Sequence, residues 1–178
     1  MSIPFGATTA LYFLRDIAKL QRGQKVLIIG ASGCVGAYAV QLAKYYGAEV
    51  TGVCSTANLA LVKSLGADKV IDYTREDFTQ NGETYDVIFD MVCGQASFSR
   101  YKVSLKSNGL YLAGAGGLKE FAQMAWTALT GGKKIVAGMA PDRKEDLVFL
   151  NGLLAAGKLK PVIDRRYPLA QTAEAHRY

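Results

Sequence analysis

The chain has 178 residues, of which 50% are hydrophobic and 20% are charged, a composition typical of one globular domain that needs no disulfides to fold. Its net charge of +6 is spread along the sequence, and the basic doublets Lys133-Lys134 and Arg165-Arg166 are too few to predict a nucleic-acid surface. No apolar run reaches the roughly 18 residues of a membrane span and no signal peptide is recognisable, so we expect a cytoplasmic protein that binds neither nucleic acid nor membrane.

Apolar segments of strand length alternate with segments of helical period, which favours a parallel sheet covered by helices on both faces. The first half of the chain predicts a helix from Thr9 to Leu20 closed by Gly23, a strand from Lys25 to Ile29, a helix from about Gly33 to Tyr46 stopped by Gly47, a strand from Glu49 to Val53, and a helix capped by Ser55 or Thr56 that ends at Gly66.

The second half continues the same alternation. It predicts a strand from Lys69 to Asp72, a capping box from Thr74 to Asp77, a strand over Val87 to Phe89, a helix of about Ala96 to Leu105, a turn at Ser107 to Gly109, a strand from Leu110 to Ala113, a helix from Glu120 to Leu129, a strand from Ile135 to Ala137, and a helix capped by Pro141-Asp142 with Glu145 that ends at Gly157. Six strands with crossover helices predict an α/β, Rossmann doubly wound parallel sheet spanning residues 1–178 as one domain.

One glycine-rich turn stands between the first buried strand and the next helix. A pyrophosphate carries two negative charges and requires backbone N–H groups that point outward at a helix N-terminus, without side chains in the way. Gly33 would let the backbone approach the phosphates, and Gly36 would let the helix pack closely on the strand. Glycine triplets also occur in turns that bind nothing, but this context favours a dinucleotide site, formed by Gly30, Ala31, Ser32, Gly33, Cys34, Val35 and Gly36.

The end of the second strand distinguishes the two nicotinamide cofactors. An acidic residue there would hold the ribose 2′-hydroxyl of NAD and would repel the 2′-phosphate of NADPH. The stretch Val53 to Asn58 contains no carboxylate but offers Ser55, Thr56 and Asn58 as donors. We therefore expect NADPH, with NADH possible. The alternative is that Ser55 or Thr56 serves only as a helix cap.

No metal site is expected. Cys34, Cys54 and Cys93 are far apart, form no Cys-x-x-Cys pair, and have only His176 to join them. We interpret the cysteines as small buried residues and the histidine as a surface residue. Short-chain reductases are also disfavoured, because they need a lysine four positions after a tyrosine, and none of the ten tyrosines has one.

The glycine turn, followed by Ala39-Val40-Gln41-Leu42-Ala43 and Gly47-Ala48, makes the sequence similar to the medium-chain dehydrogenase/reductase superfamily, specifically its zinc-independent quinone oxidoreductase branch. Similar segments continue along the whole chain: Ile3-Pro4, Thr9-Ala10-Leu11, Ser64-Leu65-Gly66-Ala67-Asp68, Val70-Ile71-Asp72-Tyr73, Asp86-Val87-Ile88-Phe89-Asp90 and Gly157-Lys158-Leu159-Lys160-Pro161. The resemblance implies an enzyme that transfers hydride from NADPH to a quinone, an enone or a related carbonyl.

The resemblance also assigns residues to each part of the cofactor. It implies that Ala31 through Gly36 bind the pyrophosphate and that the adenosine phosphate end lies against Ser55, Asn58 and Tyr73, although Tyr73 could be mere packing. It places the nicotinamide ribose and ring beside Met91, Val92, Ala113, Gly114 and Ala115. Relatives often carry a basic residue for the 2′-phosphate in the loop after the second strand, where this chain has Ala57, and this departure weakens the case for NADPH.

Two larger departures concern the rest of the enzyme. Relatives begin with a barrel-like domain that supplies substrate-binding and proton-handling residues, and they end with a strand that returns to it; we expect both to be absent here, and we nominate no catalytic residue. Relatives also pair through their sixth strand, which predicts a homodimer through Lys133–Met139. The alternatives are a binding module for NAD(P)(H) with no activity of its own, or the cofactor domain of an alcohol dehydrogenase.

Overall fold

The apolar segments of the sequence form a single sheet. The computed structural model describes residues 3–92, 98–114, 122–127 and 131–177. Its strands are β1 (Lys25–Ile29), β2 (Glu49–Cys54), β3 (Lys69–Asp72), β4 (Tyr85–Asp90), β5 (Leu105–Ala113) and β6 (Lys134–Ala137). Every neighbouring pair is parallel, and the order is β3-β2-β1-β4-β5-β6. The predicted doubly wound α/β sheet is therefore confirmed.

Helices cover both faces of the sheet. They are α1 (Ile3–Leu11), which continues as a π-helix (Tyr12–Ile17), α2 (Gly36–Tyr45), α3 (Leu59–Ser64), α4 (Phe98–Tyr101), α5 (122–127), α6 (Lys144–Ala155) and α7 (Thr172–Arg177). Short 3₁₀ turns lie at Thr56–Asn58, Phe78–Gln80, Lys102–Ser104 and Leu169–Gln171.

Strand β1 shows why its sequence is apolar without interruption. Successive side chains of a strand point to opposite faces. Val26 and Ile28 pack with α1, α2 and α6 on one face, whereas Leu27 and Ile29 pack with Phe78 and α4 on the other. Both faces are covered, so the alternation with polar residues that is typical of a half-exposed strand is missing, and the predicted bounds of this strand are confirmed.

The strand order creates a crevice beside β1. The chain builds β2 and β3 on one side of β1 and then crosses over to place β4 on the other side. Connections that leave β1 and β4 therefore diverge at the carboxyl ends of these strands, which is the position where open α/β sheets bind ligands. The fold thus brings the glycine turn, the end of β2 and the end of β4 to one edge.

The first helix begins at Ile3, well before its predicted start at Thr9. Its buried apolar residues include Ala7, Ala10, Leu11 and Leu14, and Thr8 and Thr9 between them are also buried, so the helix is enclosed on most sides. At its start the helix packs directly on the glycine turn, because a Cβ built on Gly6 would lie only 2.9 Å from Sγ of Cys34 and 3.1 Å from its carbonyl carbon. Ala7, which precedes the predicted start, therefore belongs to the core, whereas Phe5 is exposed.

Three other predicted helix starts are wrong. Helix α2 begins at Gly36 rather than Gly33, because the preceding residues close a tight turn in which the Gly33 N–H donates to the Gly30 carbonyl at 2.9 Å. No helix follows a capping box at Thr74, whose N–H and hydroxyl both donate to Asp72 instead. The N-cap of α6 is Arg143, without a side-chain cap bond, rather than the predicted Pro141-Asp142.

One turn prediction in the second half is also wrong. The turn at Ser107 to Gly109 lies inside β5 as an irregularity, since Tyr85 pairs with Leu105 while Val87 pairs with Leu110. The start of the helix predicted from Ala96 and both ends of the one predicted over 120–129 lie outside the described residues.

Candidate functional site

The glycine turn is held in shape by backbone hydrogen bonds. The N–H groups of Gly30 and Ala31 both donate to the Val53 carbonyl of β2, at 3.1 and 3.0 Å, and the Ala37 N–H donates to the Gly33 carbonyl at 2.9 Å. Gly30 has a φ of +75°, which other residues rarely adopt. The chain therefore turns from β1 into α2, whose first N–H groups have no acceptor within the helix and lie at the end of the dipole that attracts anions.

Gly36 is the tightest point of this turn. A Cβ at this position would overlap the Gly30 carbonyl oxygen and would lie 2.8 Å from Cα of Ala31, and both are backbone atoms that cannot rotate away. A Cβ at Gly33 would lie 3.3 Å from its nearest neighbour, which is also the Gly30 oxygen. The close approach of helix to strand thus depends on Gly36 far more than on Gly33.

A groove of about 1000 Å³ runs along the carboxyl ends of β1, β2 and β4. Most of the predicted cofactor residues line it: Gly30, Ser32, Gly33, Cys34, Val35, Gly36, Ser55, Asn58, Tyr73, Met91, Val92 and Gly114. Ala31 is fully buried and Ala113 nearly so, and neither lines the groove. Ala115 lies outside the described residues. The groove is large enough for a sizeable organic ligand.

Neither Ser55 nor Thr56 caps a helix with its side chain. Ser55 precedes the 3₁₀ turn without a side-chain cap bond, and its Oγ accepts from Nδ2 of Asn58 at 3.1 Å. The Thr56 hydroxyl donates to the carboxylate of Asp72. The interpretation of Ser55 or Thr56 as a helix cap is therefore wrong.

Tyr73 is exposed and lines the groove, so it is not a core packing residue.

Sequence reasoning missed the residues that the loop after β3 and helix α4 add to this end of the groove. They are Thr74, Arg75, Glu76, Asp77, Phe78, Arg100 and Tyr101. Nη2 of Arg100 lies 2.9 Å from Oδ2 of Asp77, and the rings of Phe78 and Tyr101 are 5.0 Å apart. The topology could have predicted that this loop lines the groove, because the loop after β3 leaves the sheet at the same edge as the loops after β1 and β2. Phe5 of α1 also lines the groove.

The ends of β4 and β5 fix the opposite end of the groove. The buried carboxylate of Asp90 accepts the Val92 N–H at 2.9 Å and the Tyr111 hydroxyl at 2.7 Å, and its burial raises the pKa of Asp90. The Gly114 N–H donates to the Asp90 carbonyl at 3.0 Å, and a Cβ on Gly114 would overlap the thioether of Met91. Met91 and Val92 are thereby held against the groove by their neighbours.

The cysteines differ from their predicted burial. Cys54 is buried, and this burial raises the pKa of its thiol, but Cys34 is exposed, because it lies on the turn that lines the groove. Cys93 lies outside the described residues. His176 is exposed, as predicted. Within the described part of the chain, no group of three or more His, Cys, Asp or Glu side chains could hold a metal.

Comparison with known proteins agrees with this geometry. The model of the zinc-binding dehydrogenase family matches residues 65–178. The chloroplast envelope quinone oxidoreductase homolog of Arabidopsis thaliana is 35% identical over 98% of this chain and 56% of its own length. The NADPH-dependent alkenal/one oxidoreductase of the same plant is 35% identical over 88% of this chain and 37% of its own.

Solved structures give the same result for the fold. The quinone oxidoreductase from Coxiella burnetii has a TM-score of 0.85 and 29% sequence identity, and the match covers 99% of this chain and 55% of that one. The chain thus spans about half the length of the relatives it matches. Among the described helices, none has the length and apolar character needed to cross a bilayer.

Proposed function

Because this chain belongs to the zinc-binding dehydrogenase family and is of the quinone oxidoreductase type within the medium-chain dehydrogenase/reductase superfamily, we propose that it is the NADPH-binding domain of an oxidoreductase. The enzyme passes a hydride from the nicotinamide to a quinone, an enone or a related carbonyl. The observation that carries the proposal is the glycine turn, whose amides open helix α2 at one wall of a groove of about 1000 Å³.

The pyrophosphate binds at this turn. The Ala31 and Gly33 N–H groups are used within the protein and shape the turn, so the donors we assign to the phosphates are the N–H groups of Ser32 and of residues 34–36, beside the positive end of the α2 dipole. The glycines keep side chains out of the approach. The adenosine end then lies toward Ser55, Asn58 and Tyr73, which line the groove beyond the turn. No carboxylate follows β2 at 53–58 to repel a 2′-phosphate, which supports NADPH over NADH.

The nicotinamide end lies at Met91, Val92 and Gly114, the predicted residues of this end that line the groove. The bonds that Asp90 makes with Val92 and Tyr111 support a fixed wall there, against which the ring presents one face to the substrate. The cofactor supplies the hydride, whereas this chain binds and orients the cofactor. We assign no acid, base or metal ligand to the chain, and zinc has no step in the reaction we propose.

Binding and turnover measured on the same sample test this function. The 178-residue chain is titrated with NADPH and with NADH by calorimetry and then assayed for reduction of a simple benzoquinone. We expect binding, tighter for NADPH, and no turnover above the uncatalysed rate. Failure of both nucleotides to bind would refute the proposal, and rapid turnover would refute the assignment of proton-handling groups to another domain.

A second role to be tested is that of a binding module with no activity of its own. Binding without turnover agrees with both roles, so the chain must also be assayed after addition of a relative's barrel-like domain. Recovered turnover supports the oxidoreductase, and persistent inactivity supports the module.

The edge strand β6 is proposed as the surface through which two copies pair. It bonds to β5 on one side, and the segment Lys133–Met139 ends in a Met139 side chain that is 87% exposed. Unpaired strand edges with apolar neighbours tend to be covered in natural proteins. Sedimentation of the purified chain should give twice the monomer mass, and a monomer at high concentration would contradict this assembly.

A further inference from the structure

The loops that follow β2 and β3 are tied together by one carboxylate. Asp72, at the end of β3, is only 6% exposed. It accepts the Thr74 N–H at 3.0 Å, the Thr74 hydroxyl at 2.7 Å and the Thr56 hydroxyl from the other loop. These bonds, that of Thr56 above all, hold the pKa of Asp72 below its usual value. We call the hydrogen-bonded group of Asp72, Thr56 and Thr74 the Asp72 latch. It joins the two loops into one wall of the groove.

Arg75 extends from this latch into the groove. Its Nε lies 3.5 Å from Oδ2 of Asp72, and its side chain is 73% exposed. It lines the groove together with Ser55, Asn58 and Tyr73. The Asp72 carboxylate is already satisfied by its two threonines, and the guanidinium carries four further N–H groups on its two Nη atoms. Arg75 can thus bind a second anion while it remains paired with the Asp72 carboxylate.

The other charges at this end of the groove differ from Arg75. Nη2 of Arg100 lies 2.9 Å from Asp77, a distance typical of a charge-assisted bond, whereas Nε of Arg75 lies farther, 3.5 Å, from Asp72. Glu76 also lines the groove and would repel an anion bound beside Arg75. Arg75 is therefore the cation best placed to meet a phosphate next to Ser55 and Asn58.

We propose that Arg75 binds the 2′-phosphate of NADPH and is the residue by which this chain prefers NADPH to NADH. The inference rests on the proposed function, because it requires the dinucleotide to lie in this groove with its adenosine ribose beside Ser55. A guanidinium and a phosphate form paired hydrogen bonds that NADH, with a hydroxyl at the same position, cannot make. Ala57, in the loop after β2, carries no positive charge. In this proposal Arg75 supplies that charge from the loop after β3, which the Asp72 latch holds against the loop after β2.

Titration of four variants with NADPH and NADH tests the assignment. Arg75→Gln should weaken NADPH about tenfold and leave NADH unchanged, because the lost bond is charge-assisted. Arg75→Lys keeps the charge and should recover part of the preference. Glu76→Gln removes the repulsive carboxylate and should tighten NADPH alone. Lys158→Ala removes one positive charge away from the groove and controls for net charge. Thermal unfolding verifies that each variant is folded.

The outcomes separate this inference from the proposed function. If the wild-type chain binds neither nucleotide, the proposed function fails. If it binds NADPH more tightly than NADH and Arg75→Gln retains that preference, the proposed function stands and the role of Arg75 is refuted. An equal loss of both nucleotides in a folded Arg75→Gln variant also refutes it, because the residue would then act on a shared part of the cofactor. Wild-type binding without preference refutes it as well.

Discussion

Two parts of the groove wall, the glycine turn and the Asp72 latch, are built in different ways. The glycine turn at 30–36 presents backbone amides, and its shape depends on close contacts between main-chain atoms. The Asp72 latch presents side chains, and its shape depends on hydroxyls that reach a buried carboxylate across two loops. One added methyl group can disrupt the backbone geometry of the glycine turn, whereas the side-chain donors of the latch can be replaced one at a time. We therefore expect the glycine turn to lose stability on substitution, and the latch to tolerate single changes with smaller losses.

The largest effect is expected from Gly36→Ala. The new Cβ would overlap the Gly30 carbonyl oxygen and crowd Cα of Ala31, so the helix must move away from the strand. We expect a loss of about 3 kcal/mol or more in the free energy of unfolding and no measurable nucleotide binding. Urea unfolding and calorimetry measure the two.

Gly152→Ala is the matched control, because a Cβ at that position in α6 meets no atom within 4 Å. Alanine favours a helix interior over glycine by up to about 1 kcal/mol, so this variant should be as stable as the wild-type chain or more so. Equal unfolding midpoints for Gly36→Ala and Gly152→Ala would show that the turn is not the rigid element described above.

A smaller effect is expected at the latch from Thr56→Val. This change keeps the shape of the side chain but removes a donor to a buried carboxylate, which costs about 1–3 kcal/mol. Because the loops then separate, the preference for NADPH should fall together with stability. Thr79→Val removes a comparable hydroxyl bond to Asp77, which is more exposed than Asp72, and should cost less. A larger loss in the free energy of unfolding for Thr79→Val than for Thr56→Val would contradict the role of Asp72 in holding the two loops together.

The pH dependence of stability sharpens the comparison further. Bonds from the Thr79 hydroxyl and N–H, together with Arg100, lower the pKa of Asp77 to about 2. A carboxyl group whose pKa is lower in the folded state stabilises the fold above its unfolded pKa, and this contribution disappears as the pH falls from about 4 toward 2. Asp77→Asn should therefore flatten the decline of the free energy of unfolding between these values. Identical pH profiles of stability for the wild-type chain and Asp77→Asn would contradict the lowered pKa of Asp77.

The smallest effect is expected from Gly114→Ala, at the end of the groove proposed for the nicotinamide. Its Cβ would overlap only the thioether of Met91, the flexible tip of a side chain that can rotate away. We expect a change in stability below about 1 kcal/mol and a shift in the fluorescence of bound NADPH, as the wall beside the ring changes. A loss of stability as large as that of Gly36→Ala would show that this wall is as rigid as the turn.

The sequence predicts the parts of the molecule that depend on local pattern. The strand at Lys25–Ile29 has its predicted bounds because apolar side chains on both faces leave a clear signal. The strand at Lys69–Asp72 also has its predicted bounds. The glycine spacing likewise predicts the turn, but it places the start of α2 too early, at Gly33 instead of Gly36, since a tight turn and a first helical turn share the same residues. The Asp72 latch and Arg75 escaped prediction because the partners Thr56 and Asp72 are separated by a whole helix and meet only in the folded sheet.

The contact between Gly6 and Cys34 gives the molecule a mechanical property. Because Gly6 has no side chain, α1 packs directly against the main chain and Sγ of Cys34, so we expect a movement of the helix to be transmitted to the turn. A tilt of this helix would carry the amide cradle with it and alter its hold on a diphosphate. A substitution that tilts α1 is therefore expected to change nucleotide affinity from outside the groove.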